Sequence, residues 1–189
     1  MLKKEARKIY KQKRNEISPV QREKWNDLLL IQFQKISLPF IDVVFSYKAM
    51  EEYSEIDTTY IIRYLGFSNP DLKNAYPVCN FNNYTMKAVV AGSDDDFIVN
   101  RFGTLEPSGN TVLNAADIDL VLVPLLCFDK NGYRVGYGKG FYDKFLAGCR
   151  ADALKIGLSY FEAIDTITDR NEFDVPLDYC VTPERVYRF

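Results

Sequence analysis

The sequence predicts a three-layer α/β/α domain on a mainly parallel sheet, with a smaller set of antiparallel strands added. Apolar runs of strand length at 41–47, 119–123 and 155–160 lack polar alternation, as in strands covered on both faces. Stretches with helical apolar spacing separate them, the rhythm of strand–helix–strand units. No repeat, low-complexity tract or linker interrupts the 189 residues, so one domain over 1–189 is expected.

The chain opens on Lys3, Lys4, Arg7, Lys8, Lys11, Lys13 and Arg14, interrupted by Glu5. On a helix, Leu2, Ala6 and Ile9 share one face and Lys3, Arg7 and Arg14 another. Such a basic run is a solvated face, a nucleic-acid patch or a wall for phosphates. Ser18-Pro19-Val20-Gln21 is a capping box with proline at the first helical position. Trp25, Leu28, Leu29, Phe33 and Ile36 give that second helix its apolar face, and Pro39 stops it. A first strand follows at 41–47, then a polar loop with Glu51, Glu52 and Ser54. Asp57 is placed to cap a helix carrying Tyr60, Ile61, Tyr64 and Leu65, ended by Gly66. Glu55 stands just ahead of it and reads from spacing as a loop acid.

Two further strands are expected at 74–78 and 86–90, a turn at 93–96 and a short strand at 97–99. Pro107 keeps Glu106 extended, and Glu106 is either a site residue or a partner of Arg101. Segments 155–160 and 179–182 supply the last strands.

The densest stretch runs from Asp119 to Asp143 and reads as strand, turn, glycine loop and helix. Leu120 to Val123 is buried strand, Asn131-Gly132 a tight turn, and Gly136, Gly138 and Gly140 alternate with larger residues before Phe141-Tyr142-Asp143 opens a helix. Glycines allow positive φ and let a phosphate reach backbone N–H groups without a Cβ clash. The loop matches neither common nucleotide fingerprint. Gly140 stands where a P-loop needs Ser or Thr after its lysine, and Phe141 where the dinucleotide motif wants its third glycine. From spacing alone a flexible glycine turn is the alternative.

Composition narrows the chemistry. With no histidine, Ser-His-Asp and Cys-His systems and histidine metal sites are excluded, leaving carboxylates, lysine, arginine, tyrosine and a hard metal. Those groups suit phosphoryl transfer, in which positioning and charge neutralisation supply most of the rate. A formal charge of −2 argues against a nucleic-acid binder. Cys79, Cys127, Cys149 and Cys180 lack paired spacing and read as thiols of a cytosolic protein. No apolar stretch approaches a membrane span or a signal peptide, so a soluble, cytoplasmic protein is expected.

The run Val123-Pro124, Phe128-Asp129, Gly132, Arg134, Gly136, Gly138, Gly140-Phe141-Tyr142-Asp143 resembles the signature of the 5-formyltetrahydrofolate cyclo-ligase (methenyltetrahydrofolate synthetase) family. Lys3 with Arg7, Glu55-Ile56-Asp57-Thr58, Gly103-Thr-Leu-Glu106-Pro107 and Asp174-Val-Pro-Leu-Asp178 resemble four more of its segments, in the same order. Lys139 departs from the pattern, standing where many relatives have glycine. The resemblance implies the three-layer α/β fold and ATP-dependent closure of 5-formyltetrahydrofolate to 5,10-methenyltetrahydrofolate, with ADP and phosphate released. It implies ATP contacts from Lys3, Arg7, Arg134, Gly136, Tyr137, Gly138, Lys139, Gly140, Phe141 and Tyr142. Glu55, Glu106 and Tyr142 are implied folate contacts, Arg134, Tyr142 and Asp143 catalytic residues, and Asp143 and Asp178 ligands of Mg²⁺. A monomer without nucleic-acid or membrane partners is expected. A catalytically silent nucleotide-binding or interaction module on the same fold is the alternative.

Overall fold

The computed structural model describes residues 1–92, 97–100 and 103–189; the turn expected at 93–96 and Arg101 lie outside them. In chain order the first elements are α1 (Lys3–Asn15), α2 (Pro19–Phe33), β1 (Val43–Phe45), α3 (Thr59–Ser68), β2 (Lys73–Asn80), β3 (Thr85–Val90), β4 (Phe97–Val99), β5 (Leu105–Pro107) and β6 (Val112–Leu113). Then come β7 (Leu120–Pro124), β8 (Cys127–Phe128), β9 (Arg134–Val135), α4 (Phe141–Leu146), β10 (Leu154–Leu158), β11 (Tyr179–Val181) and β12 (Val186–Arg188).

Among the described residues the main sheet runs β12-β11-β10-β7-β1-β2-β3-β6. Its centre, from β11 to β2, is parallel, and β12, β3 and β6 add antiparallel edges. Two small antiparallel pairs, β4 with β5 and β8 with β9, stand outside it.

The period-two alternation of side chains sorts the central strands into two faces. Val44, Leu120 and Leu122 meet Leu29 and Phe33 of α2 and Ile61 and Leu65 of α3. Val43, Phe45, Val121 and Val123 meet Phe145 and Leu146 of α4 on the other. Each such side chain, fully buried, contributes about 1.5–3 kcal/mol, so strands apolar on both faces are what this layering requires. The expected three-layer α/β fold is the observed one.

Several local expectations are corrected. Helix α3 runs through Gly66 to Ser68, because docking of Ile61 and Leu65 outweighs a glycine's helix cost of about 1 kcal/mol. Its cap position falls to Thr58, while Asp57 Oδ1 accepts from Thr59 N at 2.9 Å. Helix α1 buries Ala6, Tyr10 and Arg14, whereas Leu2 and Ile9 are exposed. A purely apolar reading of its pattern cannot find that stripe, since one of its three members is an arginine. Strand β12 lay beyond the last strand expected. Among the described residues no helix is long and apolar enough to cross a membrane.

From the adjacent pair β1 and β7 the crossovers diverge: β1 leads through α3 to β2, and β7 through α4 to β10 on the other side. In open α/β sheets ligands bind beyond the carboxyl ends of the strands at such a switch point.

Candidate active site

A cleft of about 1290 Å³ opens at that point, beside Tyr47 after β1 and Pro124 at the end of β7. Its other walls include α1, the glycine loop 136–140, the start of α4, the β2–β3 hairpin and the segment 169–175.

Helix α1 is pinned by its first residues. The Met1 amino group donates to Thr166 O at 2.8 Å, Thr168 N donates to Met1 O at 3.1 Å, and Lys3 N donates to Asp169 Oδ1 at 2.8 Å. Lys3 Nζ then lies between both oxygens of Asp174, at 2.6 and 2.5 Å. One turn on, Arg7 Nε donates to Gly136 O at 3.0 Å. Its guanidinium lies against Gly138, where φ is +94° and a Cβ would stand 3.0 Å from Arg7 Cζ. This loop therefore needs glycine at 138 both for its conformation and for the cation beside it.

Strand β9 delivers Arg134, which donates to Asp143 Oδ1 at 2.8 Å and to Val175 O at 2.5 Å. Burial lowers the Arg134 pKa and the neighbouring Asp143 carboxylate opposes that, so the cation is held by its partner. Val175 N donates to the same Asp143 oxygen at 3.2 Å, which ties the 169–175 segment to the start of α4.

Glu55, also lining the cleft, is buried, at 8% exposure. Its Oε1 accepts from the Tyr137 hydroxyl at 2.6 Å and its Oε2 from Met50 N at 3.0 Å. Burial raises its pKa, while Tyr137, the Met50 amide and the charge of Arg14 pull it down. Tyr142 also lines the cleft, and its buried hydroxyl has no hydrogen-bond partner among the described residues. Burial raises its pKa, so it stays a protonated donor with its bond unmade. Phe141 packs on Phe81 and Tyr84 at the tip of the β2–β3 hairpin, with ring centroids 5.4 and 5.8 Å apart. Lys139 Nζ lies 5.7 Å from the Tyr84 ring centroid.

The structure thus gathers Lys3, Arg7, Glu55, Arg134, Gly136, Tyr137, Gly138, Lys139, Gly140, Phe141, Tyr142 and Asp143 around one cleft. Two expected residues are not brought there. Asp178 precedes β11 at the amino ends of the strands, and its Oδ2 accepts from Lys155 N at 2.8 Å and Lys155 Nζ at 3.0 Å. Pairing it with Asp143 on one ion is therefore corrected: Asp174 is the acid of that motif in the cleft. Glu106, on β5, does not line the cleft, and its Oε1 accepts from Cys79 N at 2.8 Å. Asp174 and Asp178 are equivalent in sequence, and what separates their roles is that the chain between them runs from the cleft to the amino end of β11.

Among the described residues no cluster of three or more acidic or cysteine side chains could hold a metal by itself. A Mg²⁺ site needs less, because this ion is usually held by one or two carboxylates together with substrate phosphates and water. Asp143 and Asp174 fit that set: both line the cleft, and no described hydrogen bond engages Asp143 Oδ2.

Residues 2–183 match the family model described as the 5-formyltetrahydrofolate cyclo-ligase family. The chain belongs to that family. The 5-formyltetrahydrofolate cyclo-ligase of Mycoplasma pneumoniae is 35% identical over 51% of this chain and 53% of its own length. That of Mycoplasma genitalium is 38% identical over 38% of this chain and 44% of its own. The chain thus spans about half the length of these two curated relatives. The Haemophilus influenzae relative is 33% identical over 65% of this chain and 67% of its own length. Of solved structures, Aquifex aeolicus 5,10-methenyltetrahydrofolate synthetase aligns with a TM-score of 0.78 at 28% identity, covering 100% of this chain and 93% of that one. The Mycoplasma pneumoniae synthetase, at 23% identity, covers 96% and 98% with a TM-score of 0.75 and supports the fold.

Proposed function

We propose that this protein closes 5-formyltetrahydrofolate to 5,10-methenyltetrahydrofolate at the expense of ATP. The observation that carries the reading is that one cleft holds a cationic set, Lys3, Arg7 and Arg134, together with the buried acceptor Glu55 and the hydroxyl of Tyr142, which has no hydrogen-bond partner among the described residues. Family membership supplies the substrate class.

The formyl group on N5 is an unreactive amide, because nitrogen donates into its carbonyl. Transfer of the γ-phosphoryl group to the formyl oxygen turns that oxygen into a leaving group. N10 then attacks the formyl carbon and loses its proton, and phosphate departs with the oxygen, leaving the methenyl bridge. The protein's share is alignment and charge neutralisation. Lys3, Arg7, Arg134 and the amides of the loop from Gly136 to Gly140 would bind the phosphates, with Lys139 at their edge. Mg²⁺ held by Asp143 and Asp174 would supply neutralisation of phosphate charge. Glu55 would accept N–H groups of the pterin, and Tyr142 would donate to a polar atom of the same ligand. The reading takes 1–189 as one cyclo-ligase domain acting as a monomer in the cytoplasm, where Cys79, Cys127, Cys149 and Cys180 remain the free thiols seen here.

Separating the two halves of the cleft tests the assignment. Glu55→Ala should weaken 5-formyltetrahydrofolate binding at least ~10-fold, the loss of a charge-assisted hydrogen bond, with ATP affinity unchanged. Loss of both affinities together, or of neither, would contradict it.

A further inference from the structure

Helix α1 carries a cation that the proposed reaction does not use. Arg14 is 3% exposed, and among the described residues it makes no ion pair. Its NH2 donates to Leu125 O, its NH1 donates to the Tyr137 hydroxyl at 3.1 Å, and its Nε has no partner among the described residues. A buried guanidinium without a carboxylate is costly, and an apolar side chain would fill the same space at less cost. Its charge has to be explained by what it acts on.

The hydrogen bonds carry a direction. Guanidinium only donates, so the Tyr137 oxygen must accept from Arg14. A phenol has one proton, and with the oxygen fixed in this way that proton points to Glu55 Oε1 at 2.6 Å. Met50 N occupies Oε2, so each carboxylate oxygen has one donor and keeps lone pairs for N–H groups of a ligand. A protonated Glu55 would present a hydrogen where an acceptor is needed.

We infer that Arg14, acting through Tyr137, holds Glu55 as an oriented carboxylate for the reduced folate and is thereby a positioning residue of the site. This rests on the folate role proposed for Glu55. Around Glu55 the charged and titratable groups are Arg14 from α1, Tyr47 and the Met50 amide after β1, Tyr137 after β9 and Tyr142 from α4. Lys11, also on α1, stands 5.6 Å from the Tyr137 ring centroid, and the Tyr53 ring lies 5.9 Å from it. Arg14 is the one cation in direct hydrogen-bond contact with this network among the described residues. Burial already lifts the Glu55 pKa and Arg14 opposes that lift. Losing Arg14 must move Glu55 further up, so that on acidification it takes up its proton at a higher pH.

The test is the Kd for 5-formyltetrahydrofolate, measured without ATP between pH 5 and 8. In the unaltered protein affinity falls as pH drops through the Glu55 pKa. In Arg14→Gln the fall should begin about one pH unit higher, the effect of removing a close opposite charge, making the two Kd values differ about tenfold on the acid limb. Titration of the ligand itself is common to both proteins and cancels. ATP affinity should not change, and Arg14→Lys should lie between. Tyr137→Phe keeps Arg14 and the ring but severs the link, and should shift the profile the same way. It decides the matter if Arg14→Gln does not fold. A uniform loss of affinity at every pH, or an undisplaced profile in Tyr137→Phe, would make Arg14 a structural residue and overturn the inference. Glu55→Ala distinguishes the two levels: full folate affinity in that variant refutes the role of Glu55 itself, whereas weakened binding there with no shift in the Arg14 and Tyr137 variants refutes only the positioning.

Discussion

Asp174 and Asp178 are two acids of one motif with opposite surroundings. Asp174 faces the cleft and grips Lys3, while Asp178 pairs with Lys155 at the other end of the strands. Asp174→Asn should fold and lose most turnover, at least ~100-fold, the scale of removing one charge-stabilising group from a reacting centre. Asp178→Asn should keep kcat and lose no more than ~1 kcal/mol, since its pair is partly exposed. Equal kinetic damage from both would contradict the placement. Lys3→Ala should raise the KM for ATP sharply while Lys8→Ala, on the exposed side of α1, should not. Lys3, Arg7, Glu55 and the glycine loop, which line the cleft, were legible as candidates because their segments resemble family motifs. Arg14 and Asp174 were not. A basic run does not reveal which arginine turns inward, and two aspartates four positions apart look alike until the chain between them is seen to lead from the cleft to the amino end of β11.

At the scale of elements, the glycine loop and α1 form one unit through Gly136, Gly138 and Arg7. A methyl group at 138 would meet Arg7 in a backbone conformation that L residues avoid, a strain of about 1–3 kcal/mol. Gly138→Ala and Arg7→Ala should therefore both raise the KM for ATP. Gly157, on β10, is a contrasting case: its Cβ would stand 2.6 Å from Leu125 and Leu177 side chains in the core. Gly157→Ala should lower stability by about 1–3 kcal/mol, read from the denaturation midpoint, with both KM values unchanged. The apolar runs at β1, β7 and β10 could be read from sequence because burial on both faces leaves an uninterrupted signature. Strand β12 and the passage of α3 through Gly66 could not, since edge pairing and helix docking are set by tertiary contacts.

For the whole molecule, the doubly wound sheet explains why residues from opposite ends of the chain meet. Divergence of the crossovers at β1 and β7 opens the cleft, α1 closes one side with Lys3 and Arg7, and the segment before β11 returns with Asp174. The cations Lys3, Arg7 and Arg134 and the acid Glu55 then share one cavity, as the proposed phosphoryl transfer to a folate oxygen requires. The direct measurement is the ultraviolet absorbance of the methenyl product when the purified protein is given 5-formyltetrahydrofolate, with ATP and Mg²⁺ supplied together and each omitted in turn. The account predicts product only with both present, and one ADP formed for each methenyl group. No product under any condition, or product formed without ATP, would contradict it.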